Sequence, residues 1–480
     1  MKRLFGKVLV PVVIAASLVL GGCSIEDAKE IMSTTLSSTS EATDNTDANS
    51  VDAVDESSEE YAATENQKQS EENLSSSTST VSTSSLIDTT SLFSDRDLEQ
   101  EADLSEASYI TLSSGEDVTI TEEGVYVLSG TASDTTVIVS ADDTAKVQLV
   151  LDGVSISNSD FPAIYVKSAD KVFVTTTDSS NTLEVTGSFT ADGTTNTDAV
   201  IFSKEDLVIN GVGTLTIKST ANGISGKDDV KLTGGTLNIT ATEDAIEAND
   251  SIRIYDGTYN ITSGKDAFHS ENSDDNTLGY IYIQGGSFEV EATDDGFQAT
   301  TVLLIDGGTF DISAAEGLEG TYVQINDGTI NIEASDDGIN AAQKSTSVDV
   351  VIEINGGDIT IVMGSGDTDA IDSNGYIYVN GGTISITGNS AFDYDKGAEL
   401  NGGTVTVNGE TITEITNQMM GGGMRGGMGM QGQNGAMTGE TQSKDQTMQG
   451  GQQMQGQMPG QGNMQGGFGQ GGMMQGGGRH

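Results

Sequence analysis

The chain has 480 residues, 73 of them acidic and 20 basic, for a net charge of −53. That excess argues against nucleic acid and anionic membrane surfaces as partners, and favours divalent cations or neutral ligands. A single cysteine, Cys23, leaves no disulfide to form within the chain, so packing alone must hold the fold.

Residues 1–22 read as an export signal. Lys2, Arg3 and Lys7 precede an apolar run from Val8 to Leu20 that is too short for an ordinary membrane span. The run closes on Leu20-Gly21-Gly22-Cys23, which resembles the bacterial lipoprotein signal. It places the protein on the outer side of the cytoplasmic membrane, at the cell surface, touching the bilayer only through a lipid on Cys23. An ordinary secretory signal is the alternative. Residues 23–105 are rich in Ser, Thr, Glu, Asp and Asn with few apolar residues. Such a segment buries too little surface to offset its ordering entropy, and reads as a disordered tether. Residues 418–480 turn to Gly, Met and Gln, and twelve of the 15 methionines fall between Met419 and Met474. Thioethers at Met424, Met428 and Met430 could ligate Cu(I), but their irregular spacing reads as a low-complexity tail.

Between these ends, at 106–417, the sequence repeats itself. One phrase is an acid, a small residue, an apolar residue and a polar one. It occurs as Asp244-Ala245-Ile246-Glu247, Asp266-Ala267-Phe268-His269, Asp295-Gly296-Phe297-Gln298, Glu316-Gly317-Leu318-Glu319, Asp337-Gly338-Ile339-Asn340 and Asp369-Ala370-Ile371-Asp372. Alternating with it are turns such as Gly234-Gly235-Thr236, Gly307-Gly308-Thr309 and Gly381-Gly382-Thr383, each followed by an apolar-polar-apolar strand. A fixed period of about 22 residues means a solenoid. In one repeat, Ile252 and Ile254 face inward and Arg253 and Tyr255 outward; Tyr259 and Ile261, then Phe268, enter the core. Three short strands and three turns describe one coil of an all-β parallel β-helix. Asn326, Asn355, Asn380 and Asn401 precede equivalent turns and should form an amide ladder.

Stacked coils lie roughly 4.8 Å apart, so the first phrase becomes a ladder of carboxylates. Neighbouring charges at that distance repel by roughly 3 kcal/mol at an effective dielectric of 20. Raised pKa values, cationic side chains or bound metal would relieve this, and Lys265 is the only lysine next to a ladder acid. Oxygen donors of this kind suit Ca²⁺. The candidate ligands are Asp244, Asp266, Asp295, Asp337 and Asp369, with Glu247, Gln298, Asn340 and Asp372 as second donors. Alternatively, the acids only cap turns along a solvated edge. Tyr280, Tyr282, Tyr376 and Tyr378, with Arg253, line the outer face before the glycine turn and could stack on sugar rings or merely decorate the edge.

The order Asp152-Gly153-Val154 through Ala163-Ile164-Tyr165-Val166, then Ala199 to Asp206, Ile209-Asn210-Gly211, and Gly223-Ile224-Ser225-Gly226-Lys227-Asp228-Asp229 resembles one family. It comprises the carbohydrate-binding right-handed β-helix proteins of cellulolytic clostridia, polysaccharide-lyase-like in shape. The resemblance implies a right-handed helix, binding of cellulose and acidic pectic glycans, and calcium. Asn222 stands where the repeat calls for a ladder acid, and Glu316 reads as one residue early in its coil. A calcium-dependent lyase acting on uronate glycans would need a basic residue beside the substrate, and Arg253 is the only arginine between residues 97 and 424. It points away from the ladder. A passive adhesin or structural rod is the third reading. The favoured one is non-catalytic, calcium-assisted glycan binding, and nothing in the sequence specifies a protein partner.

Overall fold

The computed structural model describes residues 86–366 and 368–417. The readings made of residues 1–22, Cys23, the tether as far as 85 and the 418–480 tail lie outside these residues.

The repeat folds as its alternation demands. Ser251–Ile254, Thr258–Ser263 and Phe268–Ser270 are the three strands of one coil. In the next coil Ser251 pairs with Tyr280, Thr258 with Ser287 and Phe268 with Phe297, all in parallel. Extended over successive coils, these pairings make three parallel sheets, here called first, second and third in chain order. The result is an all-β parallel β-solenoid, with no α-helix among the described residues. An antiparallel pairing of Val407 with Glu410 turns the chain back on itself at the C-terminal coil.

The interior is one continuous apolar column. Ile252, Ile254, Tyr259 and Phe268 are fully buried, as the register requires. Because equivalent positions stack, aromatic residues lie face to face: Tyr259 on Phe288 at 4.9 Å, Phe288 on Phe310 at 4.5 Å, and Phe268 on Phe297 at 4.5 Å. Each such pair adds roughly 0.5–1.5 kcal/mol to the burial of its rings. The Tyr259 hydroxyl stays satisfied by donating to the Asp256 carbonyl at 2.7 Å. At the turn between first and second sheets the backbone takes positive φ, 115° at Gly308 and 83° at Gly382, which glycine adopts without strain. Beside this turn the amide ladder forms. Asn355 donates to Asn326 at 2.9 Å, Asn380 to Asn355 at 2.9 Å, and Asn401 to Asn380 at 3.0 Å.

The folded region begins earlier than composition suggests. Residues 86–105, assigned to the disordered tether, are an ordered strap lying across the first sheet. Ile87 and Leu92 bury against Tyr282, Val302 and Leu304, and Phe93 packs edge-on to Tyr255 at 5.5 Å. Arg96 caps the Phe173 ring at 4.6 Å. Asp97 is fully buried and reaches Lys171 at 3.2 Å and Lys231 at 3.4 Å. The Gln100 side chain donates to the Thr233 carbonyl and accepts from the Gly211 amide. Composition averaged over eighty polar residues hides three apolar anchors and one buried carboxylate, which suffice to fix a strap on an existing sheet.

Candidate functional site

The third sheet carries the acid ladder, and its register is regular. Asp295 is opposite Glu316, Asp337 opposite Asp369, and Asn340 opposite Asp372. Glu316 is therefore in line with the other ladder residues, and the expectation that it falls one residue early is wrong. A distinct hydrogen-bond pattern links the column. The backbone N–H of three ladder residues donates to the carboxylate of the coil before: Asp266 to Asp244 at 3.1 Å, Asp295 to Asp266 at 2.8 Å, and Asp369 to Asp337 at 3.2 Å. Asn222 begins the series, its Oδ1 accepting from the Asp244 amide at 3.0 Å. One oxygen of each of these carboxylates is thus committed to backbone, and the other oxygens of Asp244 and Asp266 lie beside His269.

Residues three positions on form a second column beside the first. Gln298 Nε2 donates to Asp295 at 2.5 Å and to Glu319 at 2.9 Å, and Asn340 Nδ2 donates to Glu316 at 2.9 Å. Gln298 thus presents its NH₂ to the acids rather than the carbonyl oxygen expected of a metal donor. Half a turn of the amide would exchange the two.

Cations reach the second column, though not the one the sequence marks. Lys265 pairs with the exposed Glu243 at 3.0 Å. Lys227 reaches Glu247 at 3.0 Å and Lys344 reaches Glu319 at 2.7 Å, each from the turn that follows a third-sheet strand. His269 lies 3.3 Å from Asp244 and 3.5 Å from Asp266. Burial opposes its protonation, but the hydrogen bond to Asp244 and the charge of Asp266 prevail, and its pKa is raised. Asp244 is held below its ordinary value, because the bond and charge of His269 overcome the cost of burial.

From Asp266 onward the balance reverses. Burial, with neighbouring acids adding to it, lifts Asp266 to about 6, and lifts Glu316 and Asp337 each to about 7. Asp295 is pushed up furthest, by burial and then by Asp266 and Glu319. Asp372 rises to about 6 through burial and Asp393. In this stretch the protein itself supplies too little positive charge, and protons make up the deficit.

Here the acids also stand at ligating distance. Asp266, Asp294 and Asp295, and then Asp295, Glu316 and Glu319, each offer oxygens within 4.8 Å of one another. The two groups share Asp295. Asn340 adds a buried Oδ1 that has no hydrogen-bond partner. All-oxygen sets of this density fit a hard divalent cation. Of the residues chosen from sequence, Asp266 and Asp295 join these groups, and Asp244 stands with Asp266 and His269 in another; among the described residues Asp337, Asp369 and Asp372 join none. Glu247 is engaged instead by Lys227 and Asn222. Asp294, Glu316 and Glu319 belong in the set, and the doubled acid Asp294-Asp295 was the visible signal for the first of them.

The candidate sugar-stacking residues divide. Tyr282, expected to face outward, is only 3 % exposed because the strap covers it, and its hydroxyl donates to Asp306 at 2.9 Å. Arg253 is held by Asp229 at 2.6 Å and lies over the Tyr280 ring at 5.3 Å, so neither is a free contact surface. Beyond the strap, Tyr376 (38 % exposed) and Tyr378 remain accessible and stack on each other at 5.8 Å.

Residues 114–370 match the model of a family described as carbohydrate-binding domain-containing protein. The chain belongs to that family. A carbohydrate-binding domain-containing protein of Acetivibrio thermocellus is 36 % identical over 127 residues, which are 25 % of this chain and 44 % of the relative. The match thus spans less than half of that relative's length. A solved polysaccharide lyase-like protein from C. thermocellum, a gadolinium derivative, is 23 % identical with a TM-score of 0.29, over 63 % of this chain and 94 % of its own.

Proposed function

We propose that the protein binds plant-cell-wall-type polysaccharide, cellulose or an acidic pectic glycan, without turning it over, and that calcium held in the acid ladder assists. Lipid on Cys23 would anchor it at the bacterial surface, a reading supported by Leu20-Gly21-Gly22-Cys23. Membership of a carbohydrate-binding family supports the ligand class. The observation that carries the calcium reading is the pair of carboxylate groups sharing Asp295, backed by the unpartnered Asn340 Oδ1. Calcium there would replace the protons that burial otherwise forces onto Asp266, Asp295 and Glu316. A lyase reading lacks support at its base, because Arg253 is engaged by Asp229 and Tyr280 away from the ladder.

The test is retention of the full chain on insoluble cellulose and on polygalacturonate, each with calcium and with chelator. Retention on at least one polymer, with no soluble sugar released, is the expected result. Release of unsaturated oligouronides would move the protein to the lyase class. No retention on either would leave a passive surface rod.

A further inference from the structure

The three sheets of the solenoid differ in what they leave open. The strap covers the first sheet across the coils from Phe173 to Leu304. The third carries the acid ladder. Among the described residues nothing covers the second, and its outward side chains line a trough of about 550 Å³ that includes Thr216, Asn238, Asn260, Glu289 and Asp311. A further 440 Å³ continues it through Ser313 and Glu333, which line both, to Val362 and Met363. The trough thus runs along the stack over seven coils: Thr216, Asn238, Asn260, Glu289 and Asp311 follow one another, and Glu333 and Val362 carry it across the next two.

We propose that this trough is a binding site for a neutral polysaccharide chain laid along the stack of coils. The inference rests on the carbohydrate-binding reading above and adds where the glycan binds and of which class it is. Each coil repeats the same outward positions at roughly 4.8 Å, so an extended polymer meets an equivalent set of groups at each step. Those groups are amides, hydroxyls and carboxylates, which together donate to and accept from sugar hydroxyls. Asn260 Nδ2 already donates to Asn238 Oδ1 at 2.7 Å, which orients the two amides in line. Charge selects the class. Among the described residues no lysine or arginine pairs with Glu289, Glu291, Asp311 or Glu333, and no group of acids at metal-ligating distance lies on this sheet. A uronate chain would therefore meet uncompensated like charge, whereas a hydroxyl-rich neutral chain would find acceptors.

The experiment compares the full-length parent with Asn260→Ala/Asp311→Ala and, separately, with Ser313→Arg, which obstructs the middle of the trough. All three positions are on the solvent side of the sheet, so parent-like melting checks the fold. Binding to microcrystalline cellulose should fall about tenfold or more in each variant. Retention on polygalacturonate in calcium should not change. Unchanged cellulose binding in both variants, an equal fall on both polymers, or a parent retained by polygalacturonate alone would overturn the trough while leaving carbohydrate binding in place. A parent retained by neither polymer would overturn both.

Discussion

Raising the pH in the presence of chelator is the perturbation that most directly exposes the strain in the acid ladder. Asp266 rises from an ordinary 3.8 to about 6 on folding, and Glu316 from 4.5 to about 7. At about 1.4 kcal/mol per tenfold change in proton affinity, Asp266 accounts for about 3 kcal/mol; Glu316, half-buried and so partly screened by solvent, adds roughly 1–2 kcal/mol. The folded chain binds these protons more tightly than the unfolded one. Their contribution is therefore present in full below about pH 4 and disappears as the pH climbs through 6 and 7. Thermal melts in chelator should accordingly drop by several degrees between pH 5 and pH 8, and excess calcium should abolish the drop. His269, whose pKa is also raised, acts with the same sign, so His269→Gln is run in parallel and should retain most of the slope. Asp266→Asn/Glu316→Gln should flatten it. A chelated parent whose melting temperature is level or rises over that range would refute the reasoning.

Three other outcomes follow from the same structure. Ile254→Asp places an unpaired charge in a fully buried core position and should cost several kcal/mol, read as a lowered denaturation midpoint; parent-like unfolding would mean the register is wrong. Tyr282→Ala should destabilise the chain and speed proteolysis within 86–105 while leaving polysaccharide retention intact, whereas Tyr376→Ala/Tyr378→Ala should weaken retention with little change in melting. Cys23→Ser should abolish membrane association, and a variant that still fractionates with membranes would remove the lipid anchor.

Most of the fold was legible because a solenoid repeats its evidence. The alternation around Ile252 and Ile254, the glycine turns and the asparagine column each occur several times, so one coil confirms another. The ladder was legible for the same reason. Lys227 and Lys344 were not, since they belong to turns that no repeat constrains and reach the second column only through coil stacking. The strap escaped because its fixing depends on partners far along the chain: Asp97 on Lys171 and Lys231, Phe93 on Tyr255 and Tyr282. For that reason Tyr282, outward by strand alternation, is buried in fact. Periodicity assigns the face of a sheet and cannot say what lies on top of it.

Calorimetric titration of the chelator-stripped full chain with calcium, at pH 7 in two buffers of different ionisation enthalpy, tests the central claim most directly. Binding should be saturable, should release protons displaced chiefly from Asp295 and Glu316, and should raise the melting temperature. Both effects should be lost in Asp295→Asn/Glu316→Gln. A parent that gives no saturable heat and melts at the same temperature in calcium and in chelator would contradict a metal-held ladder.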